Sequence, residues 1–221
     1  MSPTSEKPSG LRERKKQRTY QAISDTAVAL FLEKGFDAVS VTDIADAAEV
    51  SKPTLFRYFA AKEDMALHRF ADHEDEAARV VRGRPGETAP LTALEEHFLA
   101  GLDARDPVTG LCDHPDVLAF HRLLYGTPSL VARMAAYTTR SEAHLTGALE
   151  EAAPDTAPGG EHVALTARLA AGQILGTQRT LALTNWRRIA EGARADDGHA
   201  TATAEARHAF GLLRTGLAPY C

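Results

Sequence analysis

Cysteine is nearly missing from this chain of 221 residues: there are two, Cys112 and Cys221. Two thiols make no disulfide framework, and their scarcity fits a reducing, cytoplasmic compartment. Aromatic residues are sparse at 6%, and Val, Ile, Tyr and Phe never alternate with polar residues over strand-length runs, so the expected class is all-α. No apolar run approaches the ~20 residues that cross a bilayer, which argues against a membrane partner. Residues Met1 to Gly10 are polar and carry Pro and Ser without an apolar stretch, so they are read as a disordered leader rather than a secretory signal. There is no Gly-rich phosphate loop, no G-x-S-x-G and no H-E-x-x-H, and the nine histidines are scattered without a paired nucleophile. Neither enzymatic activity nor a cofactor is expected.

What is present is uneven charge. The formal net charge of −5 argues against indiscriminate coating of nucleic acid. Yet Arg12, Arg14, Lys15, Lys16 and Arg18 crowd one short stretch against a single acid, Glu13, while the body after Met65 is acidic. Such asymmetry fits a small anion-facing end on a neutral or acidic body; a solvated helix start is the plainer alternative. The length suffices for a full core, in one domain or two small ones.

The most informative segment runs from Ser40 to Lys62. A first long helix is expected over Leu11–Lys34, with Ile23, Ala27, Leu30 and Phe31 at helical spacing, closed by Gly35. Ser40 with Asp43 three residues on reads as a capping box for a second helix. Glu49-Val50 is a turn, Ser51 an N-cap, and Pro53 sits in the first turn of a third helix where its missing N–H costs nothing. Leu55 and Phe59 face inward, leaving Lys52, Thr54, Phe56 and Tyr58 outside. Beyond, helices are expected over Lys62–Arg82, Pro90–Asp103, from Pro115 to Gly126, from Thr127-Pro128 to about Ala153, over Glu161–Glu191 and over Ala200–Leu217. The Gly83–Gly86 loop, the Pro154–Gly160 break and the polar stretch Gly192–His199 separate them.

The phrase LFLEKGFDAVSVTDIADAAEVSKPTLFRYFAAKEDM, from Leu30 to Met65, resembles the TetR family of bacterial one-component transcriptional regulators, and the Arg168–Leu217 region, with RLAAGQILGTQRTLALTNWRRIAEG, resembles the C-terminal domain of an actinobacterial branch. The resemblance implies a helix-turn-helix DNA-binding domain over residues 11–62 and a larger helical ligand-binding and dimerisation domain over 63–221, after the leader 1–10. It implies that Lys52, Phe56 and Tyr58 reach base edges or the groove floor and that Pro53 meets a thymine methyl. Thr42, Thr54 and Lys62 match phosphate contacts. Arg14, Lys15 and Arg18 in the basic segment approach the backbone or a minor groove. Hydroxyls and helix N-terminal amides suit phosphate oxygens, lysine can donate to guanine, and apolar edges suit thymine methyls. Packing is the alternative role for Phe56 and Tyr58; Arg57 is left between phosphate and a surface ion pair. One departure stands out: the family usually has glycine where this chain has Glu49. A non-glycine residue at positive φ costs on the order of 1 kcal/mol, and its charge is unhelpful beside phosphate.

The resemblance further implies a homodimer through the last two helices, a palindromic double-stranded operator with half-sites about 34 Å apart or a multiple, and a small-molecule effector that releases a repressor by shifting a conformational equilibrium. Polar residues on otherwise apolar helices, His121, Tyr125, Gln173, Thr177 and Asn185, are the candidate effector ligands, and the apolar setting favours a lipophilic or amphipathic molecule. Trp186 is pocket wall, packing or dimer surface. Two rivals are weighed. His68, Asp72, His73 and Glu76 crowd one helix, and His114, Asp116 and His121 another stretch, as in a metal-responsive regulator, though without the spacing of a tight site. A helical ligand-binding or scaffold protein with a degenerate DNA-binding end is the other. Cys112 is a buried structural thiol or a redox sensor.

Overall fold

The computed structural model describes residues 9–71, 73–153 and 162–216. Its helices are α1 Ser9–Lys34, α2 Val41–Ala47, α3 Lys52–Tyr58, α4 Lys62–Ala71, α5 Glu76–Gly83, α6 Pro90–Ala104, α7 Pro115–Gly126, α8 Pro128–Ala152, α9 Val163–Ala190 and α10 Ala195–Gly216. A 3-10 turn at Pro107–Thr109 follows α6, and no strand occurs among the described residues. The chain is all-α. Residues 1–8 of the expected leader lie outside the described residues, whereas Ser9 and Gly10 already belong to α1.

Two compact units emerge, one from residues through Arg69 with Leu123–Arg133, the other from Phe70–Arg122 with Met134 onward. The first unit includes the chain through Arg69, and the Gly83–Gly86 loop lies inside the second. In the first unit, Ile23, Ala27 and Phe31 of α1 are buried with Phe36, Val39, Ile44, Ala45, Leu55, Phe59 and Met65. Phe31 and Phe36 lie ring to ring at 4.8 Å, across the turn where Gly35 takes φ 86. The buried Ser24 hydroxyl donates to the Met65 carbonyl at 2.8 Å, so α1 carries no unpaired polar group into this core. In the second unit, Leu91, Leu94, Phe98 and Leu102 of α6 pack with Ala167, Ala170, Ala171 and Ile174 of α9 and with Ala202, Ala206 and Phe210 of α10. Alanine at these positions lets helix axes approach closely.

Three features depart from the sequence reading. The expected helix Lys62–Arg82 is two helices, α4 and α5, parted by a turn in which His73 N–H donates to the Phe70 carbonyl and Glu76 N–H to the His73 carbonyl. No glycine or proline marks this break. Glu74 is drawn to Arg140 at 2.8 Å, a contact far away in sequence. The last helix begins at Ala195, not Ala200, because the Asp113 carboxylate accepts the Ala195 N–H at 3.0 Å and caps it from a distant segment. The 3-10 turn is fixed by Asn185, whose side-chain amide donates to the Thr109 carbonyl at 3.0 Å. The Pro154–Gly160 break lies outside the described residues.

Gly110, at φ 74, abuts α9 so closely that an added Cβ would lie 2.0 Å from the Ala182 carbonyl oxygen, whereas a Cβ on Gly35 would meet nothing within 4 Å. Gly35→Ala should therefore cost only the left-handed penalty, about 1 kcal/mol. Gly110→Ala should cost well above ~3 kcal/mol, the upper range of ordinary substitutions. Urea unfolding of the two variants measures the difference; equal losses would contradict it.

Candidate nucleic-acid interface

The capping box at α2 is complete. Ser40 Oγ accepts the Asp43 N–H at 3.1 Å, and the Asp43 carboxylate accepts the Ser40 N–H at 2.8 Å. These bonds hold the Asp43 carboxyl below its ordinary value. At the other end, Glu49 N–H donates to Asp46 O and Val50 N–H to Ala45 O, the paired bonds of a Schellman ending. Glu49 occupies its left-handed position with φ 54. The turn keeps the geometry usually made by glycine and carries the strain instead of avoiding it.

Ser51 caps α3 by accepting the Thr54 N–H at 3.2 Å, and its hydroxyl shares a hydrogen bond with the Thr54 hydroxyl at 2.8 Å. Leu55 and Phe59 are buried. Lys52, Pro53, Phe56 and Arg57 are exposed, Phe56 at 52%. Thr42, Thr54 and Tyr58 are half-buried. The Arg57 guanidinium lies over the Tyr58 ring, 5.5 Å from its centre. Arg14, Lys15 and Arg18 are exposed along α1.

Lys62 has an additional occupation. Its ammonium donates to the Phe36 carbonyl at 2.8 Å and the Val39 carbonyl at 3.0 Å, and sits 4.1 Å from the centre of the Phe36 ring. It thereby fixes the α1–α2 connection. Next to it, Asp64 accepts the Ala61 N–H at 3.1 Å and takes a two-pronged bond from Arg133, at 2.7 and 2.8 Å. Asp64 and Tyr20 were not singled out in the sequence. Asp64 stands three residues after Ala61, the spacing of a reciprocal cap, and Tyr20 stands three before Ile23 on the inward stripe of α1.

Residues 23–68 match the family model of bacterial regulatory proteins of the tetR family. Over these residues, and not over the rest of the chain, the sequence matches the TetR-family module. The HTH-type transcriptional regulator TcmR of Streptomyces glaucescens is 37% identical over 134 residues, 60% of this chain and 58% of TcmR. The mycofactocin biosynthesis regulator MftR of Mycobacterium tuberculosis, whose assignment is provisional, is 45% identical over 60 residues, 27% of this chain and 30% of MftR. The chain thus matches well under two thirds of the length of these relatives. Its fold is that of a TetR-family crystal structure from Mesorhizobium loti, with TM-score 0.55 and 17% identity, covering 90% of this chain and 96% of the other.

The effector candidates expected from the TetR resemblance fall into unlike settings. Asn185 is buried and committed to the Thr109 carbonyl. His121 is buried, which pushes its imidazole below its ordinary value, and burial likewise raises the Tyr125 phenol. Thr177 is half-buried, but Gln173 is exposed, so its side chain is no part of a core cavity within the second unit. Cys112 is buried and free. As for metal, His68 stacks on Tyr20 at 4.3 Å, while His73 and Glu76 pair at 2.6 Å. Asp72 lies outside the described residues. His114 and Asp116 are exposed, 3.8 Å apart. Among the described residues no group of three or more ligating side chains could hold a metal ion.

Glu76 instead serves two imidazoles, His73 at 2.6 Å and His97 of α6 at 2.9 Å. The His73 bond, followed by the His97 bond, depresses the Glu76 carboxyl far below its ordinary value, and the Glu76 bond raises His97 above its ordinary 6.5. The raised His97 contributes stability that is full below pH 6.5 and is lost as pH climbs through the raised value. The depressed Glu76 contributes above its ordinary 4.5 and loses this as pH falls through the lowered value. Thermal stability should therefore decline as pH rises from 6.5 through the raised His97 value, and His97→Gln should flatten that decline. An unchanged slope in the variant would count against the pairing.

Lys62→Met should lower stability by about 2 kcal/mol, because two carbonyls lose a charged donor. Denaturant melts of the variant measure this, and a melt identical to wild type would show that the carbonyl contacts contribute nothing.

Proposed function

We propose that this protein is a DNA-binding transcriptional regulator, a homodimeric repressor in the cytoplasm that leaves a palindromic operator when a small lipophilic or amphipathic effector binds. The observation that carries the reading is the asymmetry of α3. Leu55 anchors this capped seven-residue helix in the core, while Lys52, Pro53, Phe56 and Arg57 are presented outward. A helix so held offers a lysine to guanine edges and a phenyl edge to thymine methyls. The exposed Arg14, Lys15 and Arg18 supply backbone attraction that a chain of net charge −5 lacks elsewhere. TcmR, a transcriptional regulator by name, is 37% identical to this chain over 134 residues.

The dimer reading is supported by leucines without cover: Leu165 and Leu169 on α9 and Leu212 on α10 are 57%, 55% and 63% exposed. Gly172 and Gly176 continue the α9 face and have open space before them, which suits a close helix–helix approach. None of the five effector candidates names a ligand, and the lipophilic class rests on the apolar character of their helices.

One observation favours a second reading, a helical binding protein whose DNA-binding end has degenerated: Glu49 sets a strained, negatively charged residue in the turn that precedes the recognition helix. Binding of the purified protein to duplexes from the DNA flanking its own gene, across a salt series, separates the two. The regulator reading expects one specific shift that weakens steeply with salt, with Tyr58→Ala lowering specific binding about tenfold or more and leaving the dimer intact in sedimentation. Absence of any specific shift at low salt, with and without cell extract to supply a corepressor, would reject it.

A further inference from the structure

We propose that Tyr20 of α1 is a positioning residue for operator recognition: its ring fixes the direction in which Tyr58 leaves the end of the recognition helix. The inference rests on the operator-binding reading above and assigns a role to a residue that does not itself read DNA.

The geometry is a small aromatic cluster within the first unit. The Tyr20 ring meets the Tyr58 ring edge-on, with centres 5.9 Å apart and planes at 74°. This is the arrangement that ring quadrupoles favour. Tyr20 is itself confined. The Phe59 ring lies 4.2 Å from its centre and the His68 ring 4.3 Å, and both of those residues are buried. Tyr20 cannot turn without displacing one of them. The edge it shows to Tyr58 is therefore a fixed feature of the α1–α3–α4 core.

Tyr58 has less to hold it. It is the last residue of α3, and at Phe59 the backbone leaves the helix for an extended conformation, φ −129 and ψ 125. No further helical turn restrains its side chain from that side. Its ring meets the Arg57 guanidinium at 5.5 Å and the Tyr20 ring. Of these Arg57 is exposed and adjacent in sequence, so Tyr20 supplies the rigid contact. A groove-reading side chain oriented before DNA arrives loses less conformational freedom on binding, and the gain falls on the cognate sequence, where the fixed orientation matches a base edge. Phosphate contacts elsewhere on the unit do not depend on that orientation. Tyr20 should accordingly govern preference among sequences and leave general attraction to DNA untouched.

The test uses the full-length protein and the duplex it most enriches from a randomised library, against a scrambled duplex of equal length. Tyr20→Leu, which keeps apolar bulk against Phe59 but removes the ring edge, should lower the ratio of cognate to scrambled affinity about five- to tenfold. Affinity for the scrambled duplex and its salt slope should stay unchanged. Tyr20→Phe, which keeps the ring, should hold the ratio within about twofold. In a Tyr58→Ala background, Tyr20→Leu should change the ratio by less than about twofold, since the residue it positions is gone. A Tyr20→Leu ratio equal to wild type, an equal loss on both duplexes, or a full effect without Tyr58 would each overturn the proposal. Should Tyr20→Leu fail to fold, the wild type labelled with 13C-tyrosine decides by NMR. Ring signals of Tyr20, assigned through Tyr20→Phe, must move together with those of Tyr58 on cognate but not scrambled DNA. Failure of the wild type to enrich any duplex would overturn the operator reading itself and this inference with it, an outcome distinct from normal enrichment with a silent Tyr20.

Discussion

Two seven-residue helices, α2 and α3, form the centre of the candidate DNA-binding unit, and their ends must be satisfied before anything else can work. An α-helix leaves four N–H and four C=O groups without internal partners, so in helices this short the ends outnumber the middle. Neither would persist alone. What holds them is a sequence of end-satisfying contacts: Ser40 with Asp43, the Schellman bonds around Glu49, Ser51 with Thr54, and Asp64 accepting the Ala61 N–H. Lys62 closes the set by donating to the Phe36 and Val39 carbonyls, which lie between α1 and α2 where no helix can use them. The outward presentation of Lys52 and Phe56 follows from this, because a capped α3 whose Leu55 is buried has only one face left.

Local contacts of this kind are legible in sequence, and nonlocal ones are not. The capping box, the Ser51 cap with Pro53 behind it and the Gly35 ending each involve residues three or four apart, and the structure shows each as read; at Glu49, where a different turn geometry is the alternative, it shows the strained one. The α4–α5 break was invisible because its causes are Arg140 and His97, residues on other helices. The early start of α10 depends on Asp113, and the 3-10 turn on Asn185, for the same reason. Asn185 is an effector candidate because a lone amide on an apolar helix implies an unmet need, and one partner of that amide is a carbonyl 76 residues away. The Lys62 ammonium illustrates a related ambiguity. A lysine following a recognition helix suggests phosphate, yet two of its three donors are already spent on the protein.

Charge in the first unit is arranged for placement more than for strength. The Asp64 carboxylate is buried but meets the Arg133 fork, so it costs little, and it pins the start of α4 to the first turns of α8. Glu49 adds a negative charge and a backbone strain of about 1 kcal/mol at the turn, in a unit meant to approach a polyanion. The charge opposes affinity, whereas the strain, carried by the protein with or without DNA, lowers fold stability. That charge is tolerable only if recognition relies on a pre-shaped surface, with the exposed cations of α1 supplying attraction, rather than on dense positive charge.

The α4–α5 break bears on how such a protein could be switched. Residues Asp72–Asp75 contain no helix breaker, and their intrinsic penalty for continuing a helix is only about 0.5 kcal/mol each. The turn is favoured by side-chain contacts of Glu74 and Glu76, whose partners Arg140 and His97 are 48% and 45% exposed. Pairs so open to water contribute at most about 1 kcal/mol apiece. Two small sums therefore face each other, and neither the broken nor the continuous helix is favoured by a wide margin on these terms. An effector needs only a few kcal/mol of differential affinity to reverse a balance of that size. A break specified by glycine or proline would have been fixed in place; one specified by ion pairs whose basic partners are open to water responds to whatever competes for them.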